Sequence, residues 1–342
     1  MTMKRFLSLS GVFLFISFAL VIFAACGPTS SPANQALPVL ASAPPALTEA
    51  PVAAATEIQA PSPTFTAAPP PPTQPPTPTP VPETIRFAVI GDYGEGSKAE
   101  QDVANLVKSW NPDFIITTGD NNYPSGAAET IDQHLGQFYH EFISPYLGAY
   151  GGGSDKNRFF PTLGNHDWDT AQAQAYLDYF TLPGNERYYD FVWGPVHFFA
   201  LDSDSREPDG VGMSSVQALW LQAKLAASTS LWKVVFMHHP PFSSGLHGSV
   251  DWMRWPFKEW GASVVLSGHD HVYERLVIDG LPYFINGLGG GAIYYFVDIL
   301  DGSQARYSAD WGAMLVVADR QQMTFQFVNR LGEIIDTYNQ IK

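Results

Sequence analysis

Apolar residues fall into short runs along this chain, and the runs end alike. Ile85 to Ile90 closes in Gly91-Asp92-Tyr93-Gly94, and Phe114 to Thr118 closes in Gly119-Asp120-Asn121-Asn122-Tyr123. Phe159 to Leu163 leads into Gly164-Asn165-His166-Asp167, and Val196 to Leu201 into Asp202. Lys233 to Met237 ends in His238-His239-Pro240-Pro241, and Ala262 to Leu266 runs out into Gly268-His269-Asp270-His271. Short apolar runs bounded by turn formers read as buried strands. Between them the period changes. Ala99, Val103, Leu106, Val107 and Trp110 recur at three- and four-residue spacing and stop at Asn111-Pro112, which predicts a helix. Ile131 to Tyr146 and Ser215 to Ala227 predict two more. Near the end, Met314 to Ala318 and Met323 to Val328 flank Asp319-Arg320-Gln321-Gln322 and predict a hairpin. The alternation predicts one α/β domain over residues 83–342, with parallel and antiparallel strands in its sheets.

The first 82 residues read differently. Lys4 and Arg5 precede an apolar run to Ala25, the pattern of a secretory signal over residues 1–26. The sole cysteine, Cys26, follows Phe23-Ala24-Ala25, which resembles the lipobox of bacterial lipoproteins. That resemblance implies lipidation at Cys26; the alternative is an uncleaved N-terminal anchor. Both predict an exported chain held on a membrane, at the cell surface or otherwise outside the cytoplasm. Residues 27–82 follow, and from Pro28 to Pro82 they carry 17 of the 28 prolines with Glu49 and Glu57 as the only charges. Such a composition buries too little apolar area to fold and predicts a disordered, extended tether.

Charge narrows the partners. With 18 basic and 33 acidic residues the net charge is −15, and without the signal's two basic residues it is 16 − 33 = −17. A surface this acidic repels nucleic-acid backbones, so no nucleic-acid partner is expected. With one cysteine there is no intramolecular disulfide.

The strand ends carry the chemistry. Ligands of open α/β sheets bind beyond the carboxyl ends of the strands, and the side chains placed there are Asp92, Asp120, Tyr123, Asn165, His238, His269 and His271. Each alone has an ordinary explanation as a turn former or a packed residue. Together they do not, because turns have no need of histidine. Carboxylates, a phenol, an amide and imidazoles without a thiolate suit Fe, Mn or Zn. The set is too large for one tetrahedral ion and fits two cations with an aspartate between them.

In this order the five blocks resemble the signature of the calcineurin-like metallophosphoesterases, from about Ile85 to Arg275. Tyr123, three residues after Asp120, is similar to the purple acid phosphatases, and the length resembles the compact, tartrate-resistant type. The residues after Tyr123, Pro124-Ser125-Gly126, depart from that type's pattern. The resemblance implies a four-layer α/β/β/α sandwich, with two mixed β-sheets flanked by helices and a dinuclear metal site at the carboxyl ends of the strands.

It also implies a set of roles. Asp92, Tyr123 and His271 would hold Fe(III), and Asn165, His238 and His269 a divalent Fe, Zn or Mn, with Asp120 as the bridge. His166 and His247 would contact phosphate and leaving group, one of them as the proton donor. The implied activity is hydrolysis of phosphate monoesters of small molecules by hydroxide at the metal pair, of acid phosphatase type; no protein partner is implied. The alternatives are a phosphodiesterase or nucleotidase with two divalent ions, or a non-catalytic surface-binding lipoprotein. His239 reads as a turn residue, His134 and His140 as surface or second-layer residues, and His197 as a strand residue. Gly287 to Gly291 lacks the Lys-Ser/Thr of a phosphate-binding loop and reads as part of the site's rim.

Overall fold

The computed structural model describes residues 83–342; the expected signal at 1–26 and tether at 27–82 lie outside the described residues. Strands β1 (Ile85–Ile90), β2 (Phe114–Thr117) and β3 (Phe159–Phe160) are parallel and occupy one side of the first sheet. The antiparallel strands β11 (Gly312–Ala318), β12 (Gln322–Asn329) and β13 (Ile334–Ile341) join it through β1, giving the order β13-β12-β11-β1-β2-β3.

The second sheet contains β4 (Tyr189–Trp193), β5 (Val196–Ala200), β6 (Trp232–Phe236), β7 (Val264–Ser267), β8 (Tyr273–Ile278), β9 (Leu281–Asn286) and β10 (Ser303–Tyr307). Its order is β10-β8-β9-β7-β6-β5-β4. Here β5, β6, β7 and β9 are parallel; β4 pairs antiparallel with β5, and β8 with both β9 and β10.

Two-residue alternation assigns the faces. Phe198, Val234 and Val264 turn toward the first sheet, where the rings of Phe87 and Phe198 meet edge to face at 5.1 Å. Phe199, Val235 and Val265 turn the other way, onto Ala218, Leu221 and Leu225 of the helix Val216–Ala227. Ser215 caps that helix by accepting from the Ala218 N–H. On the outer face of the first sheet, the helix Lys98–Ser109 is capped by Ser97 and buries Ala99, Val103, Ala104 and Val107. The result is the expected helix–sheet–sheet–helix sandwich. It brings the carboxyl ends of β1, β2, β3, β6 and β7 to one end of the molecule.

The helix expected over Ile131–Tyr146 differs. Helical turns begin at Ala128 and finish at Phe142, and Ile143 is already extended. Pro145 explains the early stop, since a proline disfavours helical backbone in the residue before it and brings no N–H of its own.

Candidate metal centre

The turns that follow the strands are tight. Asp92, Asp120 and His269 all adopt left-handed backbone, with φ of 54°, 53° and 69°. Such a conformation costs a non-glycine residue about 1–3 kcal/mol and persists only where its surroundings impose it. One turn holds another here: the His269 N–H donates to both Asp92 carboxylate oxygens, at 3.1 and 3.0 Å. The glycines preceding the polar residues have a second purpose. A Cβ on Gly164 would collide with the Asp120 carboxylate, and one on Gly268 with that of Asp92.

All seven strand-end side chains converge. The Tyr123 hydroxyl lies 3.0 Å from Asp120 Oδ2 and 3.0 Å from His271 Nε2, which is 3.4 Å from Asp92 Oδ1. On the other side of Asp120, His238 Nε2 lies 3.4 Å from the same Oδ2, 3.0 Å from Asn165 Oδ1 and 3.1 Å from His269 Nδ1. One carboxylate oxygen therefore faces both groups.

The hydrogens do not suffice for these contacts. His271 and His238 direct Nδ1 at the carbonyls of Ala292 and Thr118, leaving each Nε2 with a lone pair in the neutral ring. The first group then has one hydrogen, the phenol's, among four facing heteroatoms. In the second, only His269 could supply one. Buried acceptors facing one another without protons fit a cation in each group.

The electrostatics show that the cluster favours positive charge, which protons on Nε2 supply when no cation is bound. Burial disfavours charge on His238 and His271, yet Asp120 and Asp92 outweigh it and raise both imidazoles above their usual range. His269 goes the other way, held neutral by burial and the neighbouring histidines. Burial, then Asp120 and Asp92, push the Tyr123 phenol well up, so without a strong cation beside it the phenol keeps its proton.

The two remaining candidates flank the cluster. His166 packs against Tyr123 with ring centroids 4.6 Å apart and planes tilted by 53°, directs Nδ1 at the Pro124 carbonyl at 2.6 Å, and places Nε2 4.0 Å from Asp120 Oδ2. His247 is exposed and stacks on His269 at 4.5 Å. His239 lies beside His238 and His269 within reach of a common ion. Its backbone N–H donates to Ser203 Oγ, which can pass its own hydrogen to His239 Nδ1; the ring's proton then sits on Nε2 and closes it to a metal. Burial and His238 lower this imidazole to about 3.

The Gly287–Gly291 run lies behind the Asp92 turn, where Gly289 and Gly291 donate to the Gly91 and Asp92 carbonyls; those two N–H groups are thus unavailable to phosphate. A cavity of about 490 Å³ near Trp168, Arg187 and Arg206 contains none of these donors.

Other residues support the cluster without having been singled out in the sequence. Asp270 accepts from the His247 and Gly248 N–H groups and the Ser243 hydroxyl. Asp167 accepts from Gly164 and Asn121, tying the Asn165 turn to the Asp120 turn. Arg206 donates to the Asn165 carbonyl at 2.8 Å, and Tyr294 stacks on His271 at 4.1 Å. Asp167 and Asp270 stand inside the quoted motifs, which was a usable signal. Arg206 and Tyr294 had none.

Comparison with known proteins points the same way. The calcineurin-like phosphoesterase model matches residues 85–273, more than half of the chain. Purple acid phosphatase 17 of Arabidopsis thaliana is 26% identical over 248 residues, 61% of this chain and 69% of that protein. Tartrate-resistant acid phosphatase type 5 of Mus musculus is 24% identical over 244 residues, 60% and 72% of the respective chains.

Among solved structures, purple acid phosphatase PPD1 from yellow lupin (Lupinus luteus) seeds aligns with a TM-score of 0.60 at 16% identity, covering 75% of this chain and 53% of that one. GAP50, the anchor in the inner membrane complex of Plasmodium, gives 0.57 at 20% identity, covering 76% and 89%. These two likenesses concern the fold. The matched span begins with β1 and extends to Tyr273, two residues past His271, and so encloses all seven of the converging side chains. This chain therefore belongs to the calcineurin-like phosphoesterase family and is a metal-dependent phosphoester hydrolase with homologues among the purple and tartrate-resistant acid phosphatases.

Proposed function

We propose that the chain hydrolyses phosphate monoesters at a dinuclear Fe(III)–M(II) centre. Asp92, Tyr123 and His271 would hold Fe(III), and Asn165, His238 and His269 a divalent Fe, Zn or Mn, with Asp120 placed to serve both. The observation that carries this reading is the Tyr123 hydroxyl, 3.0 Å from both Asp120 and His271. Beside two carboxylates a buried phenol stays neutral, and a trivalent cation is what makes it a useful anionic donor.

When bound, the two cations supply Lewis acidity toward the phosphoryl oxygens and lower the pKa of water. The chain's residues do the rest. The His269 N–H fixes the Asp92 carboxylate, and the His166 N–H fixes that of Asp120. His166 lies beside Tyr123 and Asp120, and His247 beside His269, where a protonated imidazole could donate to the departing oxygen. Asp270 holds the His247 backbone in place.

The supports for export and membrane tethering are Lys4, Arg5, the apolar run and Cys26. Cys26→Ser should release the protein from the membrane fraction; retention there would favour the uncleaved anchor.

The test of the activity is direct. The iron- and zinc-loaded full chain should absorb visible light through the iron–phenolate pair and hydrolyse p-nitrophenyl phosphate faster than bis(p-nitrophenyl) phosphate. A colourless enzyme preferring the diester would replace this reading with the phosphodiesterase.

A further inference from the structure

The cavity of about 490 Å³ falls within the range of about 300–1,000 Å³ that small-molecule sites occupy, and it adjoins the metal cluster. Arg206 belongs to both. Its Nη2 donates to the Asn165 carbonyl at 2.8 Å, and the Asn165 side chain faces His238 Nε2 at 3.0 Å. Its Nη1 donates to Asp169 at 2.8 Å, and the other oxygen of that carboxylate lies 3.9 Å from His166 Nδ1. One carboxylate thus separates the cavity wall from the imidazole beside Asp120. Trp168, also in the wall, stands on the same helical turn as Asn165 and His166.

The lining decides what fits. Both guanidinium groups are already neutralised: Arg206 donates to both oxygens of Asp204 as well as to Asp169, and Arg187 to both oxygens of Glu207 and to Asp209. Donors remain nonetheless. Of the five N–H groups of a guanidinium, Arg187 keeps both on Nη1 and Arg206 one on Nη1 unspent among the described residues. Gln174 spends only its NH2 group, on Asp178, so its carbonyl oxygen can accept. Leu177, Pro208 and Trp168 supply apolar wall, and no aspartate or glutamate among the described residues lines the cavity. A second phosphate meets cations whose charge is already balanced, whereas a sugar ring finds partners for its hydroxyls and apolar contact for its C–H face.

The backbone is committed as well. Ala171, Gln172 and Ala173 adopt left-handed φ of 50°, 56° and 63° in succession, and the first two line the cavity. Such a conformation persists only where its surroundings impose it, and it concentrates at ligand clamps. Thr170 anchors the run by donating to Ser125, the neighbour of the Pro124 carbonyl that faces His166.

We propose that this cavity is a leaving-group subsite for an uncharged, hydroxylated ring, and that the preferred substrates are sugar monophosphates. This inference rests on the monoesterase reading above.

The test compares ethyl phosphate with glucose phosphorylated on its primary hydroxyl, both esters of primary alcohols, on the metal-loaded full chain. The value of kcat/KM should be about 10-fold higher for the sugar, as for one or two added hydrogen bonds. Gln172→Ala should lower that ratio, and Gln174→Trp, which crowds the cavity with an indole, should bring it to about one. Both residues are exposed and outside the metal cluster, so turnover of ethyl phosphate should stay unchanged. Saturation-transfer NMR from the metal-free chain to free glucose gives a readout independent of turnover. It should show a signal that Gln174→Trp loses.

Equal kcat/KM for the two esters, a ratio that Gln174→Trp keeps, or no saturation transfer overturns the subsite; continued hydrolysis of p-nitrophenyl phosphate then leaves the monoesterase reading standing. A hexose bisphosphate or phosphocholine preferred over the sugar monophosphate would assign the cavity to a charged group, against the proposal. Inactivity on every ester overturns both readings.

Discussion

The two halves of the metal cluster differ in charge and in enclosure: Asp92, Asp120, Tyr123 and His271 are buried, whereas Asn165 and His269 are half-buried. On one side stand two carboxylates, a phenol and an imidazole; on the other an amide, two imidazoles and only the shared oxygen of Asp120. An anionic pocket retains a small, highly charged ion, whereas neutral nitrogen and amide donors suit a divalent ion that exchanges. The asymmetry teaches that the halves are separable in ligand type and joined by one side chain. Asp120 Oδ2 lies 3.0 Å from the Tyr123 hydroxyl and 3.4 Å from His238 Nε2.

The severest way to break the comparison is to remove the joint. Asp120→Asn should empty or loosen both halves and lower phosphatase turnover by ~10³-fold or more, beyond the effect of losing one transition-state donor. Metal content by mass spectrometry, together with a circular-dichroism melt to check folding, reads the result. Retention of both metals would mean that Asp120 is not a bridge.

Changing one side at a time sharpens the contrast. Tyr123→Phe should abolish the visible band and leave the divalent ion bound. His238→Ala should release the divalent ion and keep the colour. Each should lower turnover by about 10²-fold. If both variants lose both metals in equal measure, the halves are not separable and the charge argument fails.

Much of this cluster was legible because parallel strands impose a rule on sequence: a short apolar run, a glycine, then the side chain that matters. The rule identified the ends of β1, β2 and β7 even where strand limits differ by a residue or two, and β6 follows it without the glycine, running from Met237 straight into His238. It also underlies a glycine pattern that looked like turn chemistry and proved to make room for neighbouring carboxylates, as at Gly164 and Gly268.

Strands lacking a clean apolar run were missed. β10 (Ser303–Tyr307) and β13 (Ile334–Ile341) lie at sheet edges and mix polar with apolar residues, so their sequences show little burial. Arg206 and Tyr294 were illegible for a deeper reason. Arg206 meets the Asn165 carbonyl across 41 residues of chain, and Tyr294 stacks on a ring 23 positions away, contacts created only by the packed fold. Asp270 was visible inside Gly268-His269-Asp270-His271, and His247 was singled out by itself, but the bonds that join Asp270 to Ser243, His247 and Gly248 were not legible.

That support yields a smaller effect. Asp270→Asn leaves every proposed ligand in place and loosens the loop carrying His247, so turnover of ethyl phosphate should fall by about 10–100-fold, as for other residues that orient a working group. His247→Ala should show the same leaving-group dependence more strongly, about 10²-fold on ethyl phosphate and little on p-nitrophenyl phosphate, whose leaving group needs no proton. If Asp270→Asn affects both esters equally, its role is in stability and not in placing His247.

The gentlest probe is the pH dependence of stability with and without metal. In the metal-free chain, His238 and His271 are raised by their carboxylates. Asp167 is raised to about 7, by burial first and by Asp120 second. Above about pH 6.5 the unfolded chain's histidines and aspartates have lost their protons, while these three folded-state groups still hold part of theirs. The folded state then binds more protons, so its stability falls as pH rises from ~6.5 toward 8. His269 and His239, pulled down in the folded state, act in the opposite direction only below that range, where the unfolded imidazoles charge. Cations should reverse the trend, because protons and metals compete for the same nitrogens and the metal wins more easily as pH rises. The gap in Tm between metal-loaded and chelator-treated protein should therefore widen from pH 6.5 to 8. A gap that stays constant or narrows would mean that His238 and His271 are not where the metals bind.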